Sequence, residues 1–106
     1  MIIDERDIAF LADIHKCIQK IKKYTKNMNF EDFCENDQII DAVERRFEII
    51  GEASSRISSV TKEMLNNIQW REIKGFRNAI IHDYNMVDYS RMWKPYNIPF
   101  LFSKTN

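Results

Sequence analysis

Glycine and proline are scarce in this chain, two of each in 106 residues, and the remainder is rich in apolar (44%) and charged (30%) side chains. That balance excludes a disordered tract and suits a helical globule with amphipathic surfaces. An excess of either charge is also lacking. Sixteen Lys and Arg offset sixteen Asp and Glu, so no global field draws in a polyanion, and any RNA contact must come from a local basic patch. The two cysteines, Cys17 and Cys34, fit neither a metal spacing nor a disulfide framework. They read as small apolar residues of a chain kept in a reducing cytoplasm. The only histidines are His15 and His82. Neither has a carboxylate or cysteine at ligand spacing, so no metal and no cofactor is expected. No apolar run approaches a membrane span, and Asp4-Glu5-Arg6-Asp7 interrupts any signal-peptide core. The expectation is a cytoplasmic protein with no membrane partner.

What is present is helical periodicity. At this length residues 1–106 form one domain, long enough to bury a core without staples. Ile8, Leu11, Ile14, Ile18, Ile21 and Met28 recur at steps of three and four, predicting an amphipathic helix of about six turns with Asp4 as its N-cap. Lys16, Lys20 and Lys23 share one side of it and read as a solvated face. Asn29 to Phe33 reads as a short turn whose two phenylalanines cover an open end of the core. A second helix starts after Asn36 or Asp37 and carries Ile40, Val43, Phe47, Ile50, Ser54 and Ile57 inward. Gly51, Ala53 and Ser54 on it would let a neighbouring backbone come close. Ser58 to Asn67 suggests a loop with a short helix, and Trp70 opens a third long helix through Ile73, Phe76, Ile80 and Ile81. After a turn at Asn85-Met86, Asp88 caps a fourth, which faces Tyr89, Met92, Trp93 and Tyr96 inward. Pro95 and Pro99 break it, leaving a short or irregular tail. The fold class is therefore all-α, an up-and-down four-helix bundle.

One stretch carries chemistry: Phe76-Arg77-Asn78-Ala79-Ile80-Ile81-His82-Asp83-Tyr84. At about 100° per residue, Arg77 lies on the apolar side with Ile73, Ile80, Ile81 and Tyr84. Burying an unpaired guanidinium there costs several kcal/mol or so, which demands a reason. His82 instead shares a polar stripe with Asn78 and Gly75, roughly 140° away. The two meet if the helix loosens at its last turn, or if it lines a cleft between two copies, and Gly75 favours the cleft by allowing close approach. An imidazole can take or give the proton of a ribose 2′-hydroxyl or of a leaving 5′-oxygen, and a guanidinium can hold the phosphate, so RNA cleavage follows from these residue types. Asn78 would orient His82 or the phosphate. Taken alone, an Arg and a His five apart favour a structural salt link or a capping histidine. His15 reads as a surface or packing histidine, and Trp70 and Trp93 as structural.

The wider pattern adds a resemblance. Asp41-Ala42-Val43, Phe47 to Ala53, Trp70 to Asn78, Ile81 to Tyr84, Val87-Asp88 and Trp93 together resemble HepT, the toxin of a type VII-like toxin–antitoxin pair within the HEPN superfamily. The likeness runs from about Asp4 to Trp93. It implies a helical bundle that forms a homodimer with a metal-independent endoribonuclease site at the dimer cleft. The family's Arg, four residues, His, one residue, Tyr falls on Arg77, His82 and Tyr84, with Asn78 and Asp83 in support. It also implies a partner, a minimal nucleotidyltransferase antitoxin of the MntA type, which would transfer AMP to Tyr84. The resemblance departs at Lys94-Pro95-Tyr96-Asn97-Ile98-Pro99, where relatives continue as a long final helix. The alternative is a non-catalytic helical subunit that binds a nucleotidyltransferase and helps present its substrate.

Overall fold

A computed structural model describes residues 2–82 with Met92 and Trp93, and for Phe76 and residues 78–82 the helical backbone alone. Among these residues the chain is all-α: α1 (Glu5–Tyr24), α2 (Phe30–Cys34), α3 (Asp37–Arg56), α4 (Ser59–Met64) and α5 (Trp70–His82). The turn at Asn85-Met86, Asp88, Tyr89, Tyr96 and the prolines of the tail lie outside the described residues, as do Asp83 and Tyr84.

α1 begins where Asp4 accepts a hydrogen bond from the Arg6 amide at 2.7 Å, satisfying one of the orphan donors of a helix start. It ends at Thr25, whose buried hydroxyl donates to the Ile21 carbonyl at 2.8 Å. Asn27 then takes a left-handed φ of 66°, which its short polar side chain tolerates better than most, and the chain reverses. The expected turn at 29–33 is a short helix. Asn29 and Asp32 form a reciprocal capping box, the Asp32 amide donating to Asn29 at 2.7 Å. Phe33, on α2, is fully buried, and Trp93 lies against both phenylalanines, 5.2 Å from Phe33 and 6.2 Å from Phe30 between ring centres.

α3 starts as expected, with Asn36 accepting from the Ile39 amide at 3.0 Å. It is the middle of the molecule, because α1 packs along one flank and α5 along another. Its buried stripe of Ile40, Val43, Phe47 and Ile50 meets Ile14, Ile18 and Ile21 of α1, Ile73 of α5, and Met92 in one core. Steps of three and four keep these side chains on one face of each helix, so the pattern that nucleates the helix also fixes its packing.

Two details depart from the pattern read in the sequence. Ile8 is half exposed, and Asp7 takes the inward position one turn before Leu11. There Asp7 accepts hydrogen bonds from the Ser58 amide (3.2 Å), the Ser58 hydroxyl (2.6 Å) and the Thr61 hydroxyl (2.6 Å). A buried carboxylate with three donors is satisfied, and this one ties the start of α1 to the start of α4. Because Ser58 follows the end of α3, the same contact sets α1 and α3 antiparallel. Second, the close neighbour expected at Gly51 arrives through its side chain first. What lies against it is a side chain from α5.

Candidate active site

α5 forms because apolar residues recur along 70–82, and Trp70 anchors its first turn by donating its indole N–H to the Leu65 carbonyl at 3.2 Å. Ile73 points into the core, 3% exposed. Arg77, one turn further on, is half-buried on the same side, as the helical spacing required.

The arginine reaches no carboxylate among the described residues. Among the described residues the ion pairs join Arg6 to Asp4, Arg45 to Glu48 and Arg56 to Glu52, all on the surface. Its Nε is instead buried with no hydrogen-bond partner among them. An unmet buried donor on a charged group costs about 1–3 kcal/mol or more, a cost that an incoming anion oxygen would remove. The structural salt link that the bare Arg–His pair suggested is therefore absent among the described residues. The aliphatic stem of Arg77 lies directly over Gly51 on α3.

Arg46 provides the comparison. Its Nε is also buried and unpartnered, yet it stands five residues before Gly51, roughly 140° round α3, where its charge falls on Cys17. Burial raises the Cys17 thiol above its ordinary pKa, and Arg46 works against that shift. An orphaned Nε therefore does not by itself make a site.

α5 remains a regular α-helix through His82, so the helix does not loosen before that residue. On the backbone alone His82 leaves α5 roughly 140° round from Arg77 and on the side of Gly75. Gly75 is exposed, and no described residue lies within 4 Å of where a Cβ on it would stand. The side chains of Asn78 and His82, with Asp83 and Tyr84, lie outside the described residues. Thus the structure places Arg77 inward and Gly75 outward on one helix. His15, Lys16 and Lys23 are exposed on α1.

Elsewhere, a shallow groove of about 160 Å³ between α1 and α3 is lined by Phe10, Asp13, Ile49, Glu52, Ala53 and Arg56. Two carboxylates on its rim suit it poorly to RNA. Among the described residues no three His, Cys, Asp or Glu converge as metal ligands would. No described helix is long and apolar enough to cross a membrane. The sequence reading missed Asp7, whose position fits the α1 stripe (7, 11, 14, 18, 21) but whose residue type does not.

Comparison with known proteins decides what kind of chain carries this arrangement. Residues 14–97 match the family described as ribonuclease HepT-like. The chain belongs to that family. It is similar to the protein named "Putative RNase MJ1380" of Methanocaldococcus jannaschii, 40% identical over 93 residues that cover 87% of this chain and 85% of that one. A second protein of the same organism, "Putative RNase MJ1216", is 42% identical over 98 residues, covering 90% of this chain and 81% of its own length. The "Probable ribonuclease HepT" of Thermococcus cleftensis is 40% identical over 85 residues, covering 80% and 77%. No solved structure gives a significant match. The HEPN resemblance read from about Asp4 to Trp93 and the all-α fold both stand with the family.

Proposed function

We propose that the protein is a metal-independent endoribonuclease, the toxin of a type VII-like toxin–antitoxin pair, cutting RNA in a cleft between two copies of the chain. The observation that carries this reading is the half-buried Arg77 with no carboxylate among the described residues and an unmet Nε, on a chain of the HepT-like ribonuclease family. A cation held in that state favours an anion that arrives from outside, and a phosphodiester presents one.

The chemistry then needs little else. RNA carries its own nucleophile, the 2′-hydroxyl. His82 of one copy removes that proton as the 2′-oxygen bonds to phosphorus. The bond from phosphorus to the 5′-oxygen breaks, and the protonated His82 of the second copy supplies the proton for the leaving oxygen. Arg77 balances the charge that grows on the phosphoryl oxygens. The products are a 2′,3′-cyclic phosphate and a free 5′-hydroxyl. Asn78 orients His82 or the phosphate, and Asp83 supports the histidine. The open flank at Gly75 supports the two-fold cleft, since it leaves room for a second backbone on the side where His82 emerges.

Regulation follows from position. Tyr84, two residues after His82, is the acceptor for AMP from a minimal nucleotidyltransferase antitoxin. A nucleotide phosphate there would compete for Arg77 and repel RNA.

The test is cleavage of labelled RNA by the purified protein in EDTA. Arg77→Ala and His82→Ala are each expected to lower kcat by about 10²–10³-fold, with cyclic-phosphate ends on the product of the wild type. Cleavage unchanged in both variants would sink the reading. Protein with no nuclease activity that still bound a nucleotidyltransferase would favour the non-catalytic subunit. Peptide mass analysis after incubation with ATP and the nucleotidyltransferase should find AMP on Tyr84, and an unmodified Tyr84 beside an active transferase would remove the antitoxin step.

A further inference from the structure

We infer that Gly51 is a positioning residue for Arg77, a notch in α3 that seats the arginine stem and so fixes where its guanidinium stands; this rests on the ribonuclease reading above. Gly51 is buried in the interior of a twenty-residue helix, where glycine is worse than alanine by about 1 kcal/mol. Its backbone does not require glycine, because its φ is not positive. The requirement is space. A Cβ on Gly51 would overlap the Cβ, Cγ and Cδ of Arg77 together. These atoms are the root of the side chain rather than its far end, so turning the guanidinium cannot relieve the overlap. Either the stem leaves the notch or α5 moves off α3. At Gly75, by contrast, a Cβ would meet no described residue within 4 Å.

Seating three methylenes in the notch buries the stem and removes most of its rotamers, as happens where a long cationic side chain lies along apolar surface with its head free. Nε follows the stem into burial, which accounts for its lack of a partner. The nearby Ser54 hydroxyl turns back to the Gly51 carbonyl, 3.0 Å away. An unbranched stem is what the notch accepts, and the depth of the guanidinium is set before RNA arrives, which is the preorganisation that charge stabilisation requires.

The experiment combines Gly51→Ala, Arg77→Gly and the double variant in urea unfolding and in RNA cleavage, because alanine at 77 would keep the Cβ that overlaps. With glycine at 77 no side-chain atom of that residue remains against the added methyl, so Gly51→Ala should then raise the folding equilibrium constant about fivefold, the helix preference expressed as a ratio. With Arg77 present the same change should lower that constant, and it should cut kcat about tenfold or more. Propylguanidinium ion, supplying the missing stem and head, should restore part of the cleavage lost in Arg77→Gly and restore none in the double variant. A merely structural glycine would not block that rescue. Additive unfolding energies, wild-type cleavage by Gly51→Ala, or equal rescue of the single and double variants would each overturn the inference. If Gly51→Ala alone does not fold, the double variant must, and its failure overturns the inference as well. Full activity of Arg77→Gly would sink the ribonuclease reading instead, while the unfolding cycle still decides whether stem and notch are coupled.

Discussion

Asp7 and Glu44 are both carboxylates withdrawn from water, and they respond to pH in opposite senses. Hydrogen bonds from Ser58 and Thr61 hold Asp7 below its ordinary value of 3.8. A depressed folded pKa contributes stability that is complete above that value and is lost as pH falls through the folded one. Asp7→Asn should therefore lower the thermal midpoint at pH 7, and the gap from wild type should close in acid below pH 3.8. Glu44 is pushed above 4.5, first by burial and then by the charges of Asp41 and Glu48. The folded state then holds its proton more tightly than the unfolded chain does, so stability falls as pH rises through the raised pKa. Glu44→Gln should raise the midpoint at pH 7 and leave it unchanged at pH 3, by less than about 1 kcal/mol because solvent still reaches the group. At this scale the sequence was legible for Arg77, whose inward direction follows from spacing. It was not legible for Asp7, since an apolar stripe predicts apolar neighbours and the three donors that satisfy this acid lie more than fifty residues away.

Among the elements, the three long helices were readable because twelve or more residues display their period clearly. Their starts at Asp4 and Asn36 were readable because capping is local chemistry. α2 was not, since five residues are too few to show a period, and the Asn29–Asp32 box was the only sign of a helix rather than a turn. Phe33 is what makes α2 matter. Replacing it with alanine should cost about 3–5 kcal/mol and shift the Trp93 fluorescence, because a ring 5.2 Å from that indole is lost. Ser58→Ala should cost about 1–2 kcal/mol in urea unfolding, as it removes both the α4 cap and a donor to Asp7.

For the molecule as a whole, the family and the all-α architecture could be read from ordered segments spread along the chain, while the site could be read only in part. A single sequence fixes that Arg77 and His82 leave one helix about 140° apart, and it says nothing of how a second copy would bring them together. If two copies form the cleft, the protein should sediment at twice the chain mass. Because the reaction needs His82 from both copies, excess His82→Ala protomer mixed with wild type should lower cleavage below the level expected of independent chains.

The unequal grip of the two flanking helices on α3 has a further consequence. Among the described residues α1 lies along α3 more extensively than α5 does, and the Asp7 contacts fasten the open end of that hairpin. The bundle should therefore breathe asymmetrically. In native-state hydrogen–deuterium exchange, amides of 70–82 should take up label ahead of those in 43–51, which are covered on both sides. Arg77 would then ride on the looser leaf, and each opening of that leaf would unseat it from Gly51 for as long as the leaf stays open.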